Sequence, residues 1–319
     1  APFALRQRGL PAMDQPAIDL LHQVLDRPRL DFQLDYTKGF TLLLPQLASL
    51  KRATQKLEAA TVLDMHNNDP GAATTNILTM LALVQRNTSE GPVISHLVRL
   101  AMTAIAVAPT WELLQATNVT DAQLASVQNE WQQMDFLSDA EYAFEMERAW
   151  AVDAIKKARI SHEEFQKVFR PATYGGGYGY SSSSGTWPFD LETLTEKPRY
   201  EMAEVLWRSS WSYTDERRTL QSDQIILETL RAMQTNRSQF YQADYDAMKG
   251  RLSSLGISNA GEAFFQALKI PDLSDIFGSG GLSSVVEKAI RIQTACRITV
   301  TAIALKRFQL QRGKWPDTL

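Results

Sequence analysis

Apolar residues recur at three- and four-residue intervals along most of this chain, the spacing of one face of an α-helix. Ile18, Leu21, Val24 and Leu25 predict a short helix over 16–26. Leu43, Leu47, Leu50, Leu57 and Met65 predict a long one over 41–66. Ile77, Leu78, Leu81 and Val84 predict a third over 71–86, with Pro70 at its first position, where a missing N–H costs nothing. A fourth runs from Pro92 towards Trp111, with a bend expected at Pro109. Leu124, Val127, Trp131 and Met134 follow Thr120, which reads as an N-cap without a complete capping box. Ser138-x-x-Glu141 and Ser161-x-x-Glu164 do match that box, in which side chain and backbone satisfy each other's free groups. Later helices are predicted over 200–213, over 216–255 with an interruption near Ser238, over 260–268 and over 282–312. The strict alternation that marks a half-buried strand is nearly absent.

The expected fold is therefore all-α. Short loops between long helices force antiparallel neighbours, so the chain reads as antiparallel helical hairpins packed as a bundle or short solenoid. No self-similar period emerges, as a true repeat array would require. The pattern breaks at 171–190, PATYGGGYGYSSSSGTWPFD. Its glycines and serines bury too little to offset backbone ordering, which predicts a mobile loop or linker. It divides the chain into an N-terminal helical-hairpin region, 1–170, and a C-terminal helical region, 191–319, expected to pack as one body. A plain spacer needs no aromatics, so Tyr178, Tyr180, Trp187 and Phe189 are the candidate partner-binding residues.

Composition narrows the function classes. Of 319 residues, 44% are hydrophobic and 22% charged, which is ordinary for a soluble globular protein. The net charge of −3 argues against nucleic-acid binding over a broad basic surface. Local groups such as Lys156, Lys157 and Arg159, or Arg217 and Arg218, read as solvated helix faces. The lone cysteine, Cys296, lies in an apolar helical pattern and reads as a buried small residue. The best apolar run, Leu100 to Trp111, is too short to cross a bilayer, which takes ~20 residues.

Chemistry-bearing motifs are missing. With four histidines and one cysteine, there is no H-E-x-x-H, H-x-x-x-H, C-x-x-C or E-x-x-H, so no metal site is expected. At Asp64, His66 and Asp69, the histidine is expected to complement a helix end and Asp69 to cap the next helix. Glu141, Glu145 and Glu147 are expected to pair with Arg148. Gly175 to Gly179 lacks the Gly-Lys-Ser/Thr ending of a phosphate loop, and Ser181 to Ser184 lack a nucleophile elbow. No catalytic or cofactor-binding residue is assigned.

The chain end carries the sharpest local signal. After Ile298, Ala302, Leu305 and Phe308, Gly313 stands where a left-handed residue closes a helix, and Trp315 is expected to fold back near Phe308 or Leu310. Asp317 then offers a cap with two residues left, which predicts a longer natural chain.

Several blocks together resemble uncharacterised exported, membrane-anchored helical proteins of planctomycete- and verrucomicrobium-type bacteria. They are 35–51, 69–83, 92–99, 120–124, Glu147-Arg148, 304–308 and Gly313-Lys-Trp-Pro-Asp317. Over ~20 residues the terminal block also resembles the helix exit of type II secretion pseudopilins. The first resemblance implies a helical body on the extracytoplasmic side of a bacterial membrane, held by a tether absent from this sequence. No catalytic residues follow from it.

The expected function is thus an exported helical scaffold or protein- or peptide-interaction module without cofactors and with no nucleic-acid partner. The alternatives are an enzyme with an interhelical active site gated by the 171–190 loop, and a structural subunit of a secretion or envelope assembly. A deep cavity lined by histidine and carboxylates would favour the enzyme, and a long apolar groove the binder.

Overall fold

A computed structural model of the chain describes residues 15–87, 91–169, 201, 204–235, 241–255 and 279–316. Among these residues there are ten α-helices and no strand, so the fold is all-α. The helices are α1 (Gln15–His22), α2 (Pro45–His66), α3 (Pro70–Gln85), α4 (Val93–Gln115), α5 (Asp121–Gln132), α6 (Phe136–Ile160), α7 (His162–Phe169), α8 (Ser212–Thr235), α9 (Tyr241–Ser254) and α10 (Ser279–Arg312). The 171–190 segment, its aromatics Tyr178, Tyr180, Trp187 and Phe189, and the helix expected over 260–268 lie outside the described residues.

Several helix ends differ from the sequence expectation, each for a local reason. α2 starts at Pro45 rather than residue 41, because a 3₁₀ turn over Tyr36–Thr41 precedes it, with Gly39 at φ 54°. α4 continues through Pro109 to Gln115. α5 has the complete capping box that the sequence reading denied it. Thr120 Oγ1 accepts from Gln123 N, and Gln123 Oε1 accepts from Thr120 N at 2.9 Å.

α6 starts two residues before Ser138, which therefore lies inside its first turn. The buried Phe136 N–H donates instead to Gln293 Oε1 at 2.8 Å, while Gln293 Nε2 donates to Met134 O at 3.3 Å. A glutamine distant in sequence thus takes the capping role. The Ser161 box is half realised, since Ser161 Oγ accepts from Glu164 N at 3.3 Å. Residues 204–235 run without a break through a π-helical turn, Trp207–Trp211, where separate helices were expected.

The residues divide into two compact units that interleave along the chain. Unit 1 comprises 1–33, 44–136 and 289–319; unit 2 comprises 34–43 and 137–288.

In unit 1, α3 packs against α1, α2, α4 and α5. A helix covered on all sides loses its polar stripe. Eleven of the sixteen residues of α3 are buried. Its buried threonines close on their own backbone: Thr74 Oγ1 donates to Pro70 O at 2.6 Å and Thr79 Oγ1 to Thr75 O at 2.8 Å. Thr54, Thr61, Thr103 and Thr110 do the same on α2 and α4. A threonine bonded to the i−4 carbonyl can be buried without an outside partner.

Leu57, Ile77, Met80, Leu81, Met102 and Leu113 form the fully buried core. Arg307 of α10 reaches α5, donating to Asp121 at 2.8 and 3.3 Å and to Gln128 at 2.9 Å. By length and a mean hydropathy of 1.5, α4 is long and apolar enough to cross a membrane, yet 56% of that window is buried in the protein. Packed against α2 and α3, and with His96 and Arg99 buried on it, α4 is a core helix of unit 1.

At the end of α10, Gly313 at φ 70° donates its N–H to Gln309 O at 2.8 Å, the predicted left-handed closure. Trp315 remains 54% exposed, so it is not the buried contact expected of it. Cys296 is buried, and that burial pushes its thiol up to about 12, leaving it protonated and inert.

In unit 2, aromatic rings organise the packing. Tyr36 and Phe40 lie 6.4 and 5.6 Å from Trp150, and Phe165 lies 5.4 Å from Trp207. The buried Trp207 Nε1 donates to Asp215 Oδ2 at 2.7 Å. α8 packs against α9, and Tyr245 on α9 bonds Glu287 at the start of α10, at 3.2 Å.

Candidate functional site

Unit 2 carries an open groove of about 850 Å³ between α6, α8 and the end of α9. α6 supplies Arg148, Lys156 and Arg159, which fall on one stripe at i, i+8 and i+11. α8 supplies Tyr213, Glu216, Arg217, Leu220, Gln221, Gln224 and Ile225, again a single face at helical spacing. Arg251 and Leu255, one turn apart, close the third side. Five cations and one carboxylate thus surround a floor of Leu220, Ile225, Leu255 and the apolar stems of the basic residues.

The cations are not equivalent. Arg159 is fixed in place. Its Nε donates to Ser212 Oγ at 2.9 Å, its Nη2 donates to Ser212 O at 3.3 Å and to Glu216, and its guanidinium lies 3.7 Å from the centre of the Tyr213 ring. Arg251 donates to Glu228 at 2.7 Å, which holds that carboxyl below its ordinary range. Among the described residues Arg148 hydrogen-bonds only Gln224, at 3.4 Å. Lys156 and Arg217 are exposed and form no ion pair with the described residues. Two held cations, one loosely held and two open ones give the groove a net positive field.

Asp223, on the same helix but turned inward, is 3% exposed, and its Oδ2 has no hydrogen-bond partner among the described residues. Burial raises its pKa to about 7, against the opposing pull of Arg148 and with the added push of Glu147. Next to the groove, Glu204 is buried and takes His162 Nδ1 at 2.6 Å and Arg208 Nη1 at 3.0 Å; Arg208 Nε also donates to Arg159 O at 2.9 Å. These bonds brace the α6–α7 junction against the π turn.

The sequence reading treated Lys156, Arg159 and Arg217 as solvated helix faces; they converge instead. The signal was present as the 148–156–159 stripe, but its partners lie more than fifty residues away on α8 and α9. Glu141 and Glu145 do not pair with Arg148. Both bond Arg231 of α8, at 2.6 and 2.8 Å. Asp69 caps α3 as expected, accepting from Ala72 N at 2.9 Å. Asp64 accepts from Asn76 at 2.7 Å, and Asn76 Oδ1 lies 2.8 Å from His22 Nε2. Among the described residues no three His, Cys, Asp or Glu side chains group so as to hold a metal. The groove is neither a cavity lined by histidine and carboxylates nor purely apolar.

No protein family, curated protein or solved structure matches this chain.

Proposed function

We propose that the chain is a helical protein-interaction module without chemistry of its own, whose unit 2 groove takes an acidic, partly apolar peptide segment of a partner protein. The observation that carries this reading is the charge of the groove against that of its unit. Unit 2 holds 23 Asp and Glu against 18 Lys and Arg, yet the groove lining holds five cations and one carboxylate. A local positive field inside a net negative body attracts a short anionic segment and repels a long polyanion. The apolar floor favours a peptide that alternates acidic with aliphatic residues, laid between paired helices. The resemblance to exported, tethered helical proteins supports placing this module on the extracytoplasmic side of a bacterial membrane.

The enzyme alternative draws its support from Asp223, because carboxyls that titrate near neutrality concentrate at catalytic sites. Its burial away from the groove lining counts against that role.

The test is binding of a fluorescent Glu/Leu peptide, its Gln/Leu counterpart and single-stranded DNA of equal charge, by anisotropy at two salt concentrations. Lys156→Glu with Arg217→Glu should weaken the Glu/Leu peptide at least tenfold. Lys51→Glu with Lys56→Glu, the same charge change on exposed positions of unit 1, should leave it nearly unchanged. Equal losses from both pairs, no preference for Glu over Gln, or equal binding of the DNA would refute the proposal.

A further inference from the structure

The pairing of α6 with α8 gives the unit 2 groove an axis and a repeat length. Arg159 donates to Ser212 and Glu216, Arg148 donates to Gln224, and Glu141 and Glu145 accept from Arg231. Numbers that fall along α6 are met by numbers that rise along α8, so the two helices run antiparallel. Between the Arg159 and Arg148 contacts, this register brings Arg217 level with Lys156, and both line the same groove. Neither forms an ion pair with the described residues, and the carboxylates nearby are taken. Asp153 bonds Lys157, Glu216 bonds Arg159 and Glu228 bonds Arg251.

A second cationic end lies eight residues back along α6, about 12 Å away at 1.5 Å per residue. There Arg148 sits opposite Gln224, and Arg251 bonds Glu228 one turn further along α8. Leu220 stands between the two ends, on the α8 face shared by Arg217 and Gln224, and is 37% exposed. The order along the groove is therefore cation, aliphatic, cation.

The cross-section decides the conformation of what fits. The groove's volume of about 850 Å³, spread over the ~18 Å of α8 from Tyr213 to Ile225, gives a mean section of about 50 Å². An α-helix with its side chains is at least ~10 Å across and fills about 80 Å². An extended strand occupies ~4.8 Å by ~10 Å, about 50 Å².

We propose that the groove reads an extended segment with two carboxylates four residues apart and an aliphatic residue midway, Glu-x-Leu-x-Glu in its simplest form. This rests on the acidic-peptide reading above and adds a conformation and a spacing to it. In an extended chain, residues i, i+2 and i+4 face one side and span ~13 Å, which matches the two cationic ends with Leu220 between them. The pattern is the same read from either end, so both chain directions satisfy it.

Three fluorescent peptides with blocked ends test the spacing by anisotropy on the whole protein at low salt. The first carries Glu-x-Leu-x-Glu in a threonine host. The second has the same composition with the two Glu adjacent and Leu at one end. The third is an alanine-based helix with Glu eight residues apart and Leu midway. The first should bind about tenfold more tightly than either of the others. Lys156→Gln with Arg217→Gln should remove that preference. Leu220→Ser should weaken the first peptide and leave unchanged a version of it with Ser in place of Leu. Equal binding of the first two peptides, all weakened by the Lys156/Arg217 pair, would overturn the spacing and leave the acidic-peptide reading standing. Tighter binding of the helix would overturn the extended conformation. Binding of none of the three would overturn both readings.

Discussion

Asp223→Asn should stabilise the protein at neutral and alkaline pH, an uncommon outcome for a buried polar substitution. Burial is the main reason that the Asp223 carboxyl is raised from its ordinary 3.8 to about 7. The folded state therefore keeps this proton up to about pH 7, whereas the unfolded chain releases it near pH 4. Between those values the folded state binds more protons, so stability falls as pH rises through that window and then levels off. At about 1.4 kcal/mol per pKa unit, the ionised carboxylate costs on the order of 4 kcal/mol above pH 7. Asparagine resembles the protonated acid in shape and carries no charge. The variant should thus match the parent below pH 4 and exceed it by up to about 4 kcal/mol at pH 8. Urea unfolding at pH 4.5, 6 and 8 measures this directly. A gain independent of pH, or no gain at pH 8, would refute the argument. Arg148 offers a second handle. It opposes the rise, so Arg148→Gln should make the parent more sensitive across the same window.

His96 predicts the opposite slope. With its pKa lowered to about 3 by burial, it contributes stability at neutral pH that is lost as pH falls from about 6.5 towards 3, and His96→Gln should flatten that limb of an acid titration followed by circular dichroism. Ile77→Ala, at a site with no exposed surface on α3, should cost about 2–5 kcal/mol in urea unfolding. Gly313→Ala forces a left-handed backbone on a residue with a Cβ and should cost about 1–2 kcal/mol or fray the end of α10, read by amide exchange at Gln309 to Arg312. Thr120→Ala removes the complete capping box of α5 and should lower stability by about 1 kcal/mol.

The helices were legible in the sequence because their signals are local. Asp69-Pro70 starts α3, and Gly313 ends α10, through atoms within four residues. The start of α6 was misread for the opposite reason. Ser138-x-x-Glu141 is a valid local motif, but Gln293, more than 150 residues on, takes over the entry at Phe136. The groove was missed in the same way. Its cations sit on three helices that no short pattern connects, and each group viewed alone is an ordinary charged face. Sequence reasoning also assigned Glu145 to a neighbour on its own helix, when Arg231 on α8 offers a better fork to both glutamates.

α3 has helices packed around it and not one exposed residue. Its amide hydrogens can therefore exchange with solvent only when unit 1 opens as a whole, whereas amides of peripheral helices are also released by fraying and partial opening. The slowest exchange rates in this molecule should come from Ile77 to Val84, and they would read the opening free energy of unit 1 without denaturant. Any partner, ligand or substitution that tightens unit 1 should register there first, however far from α3 it acts.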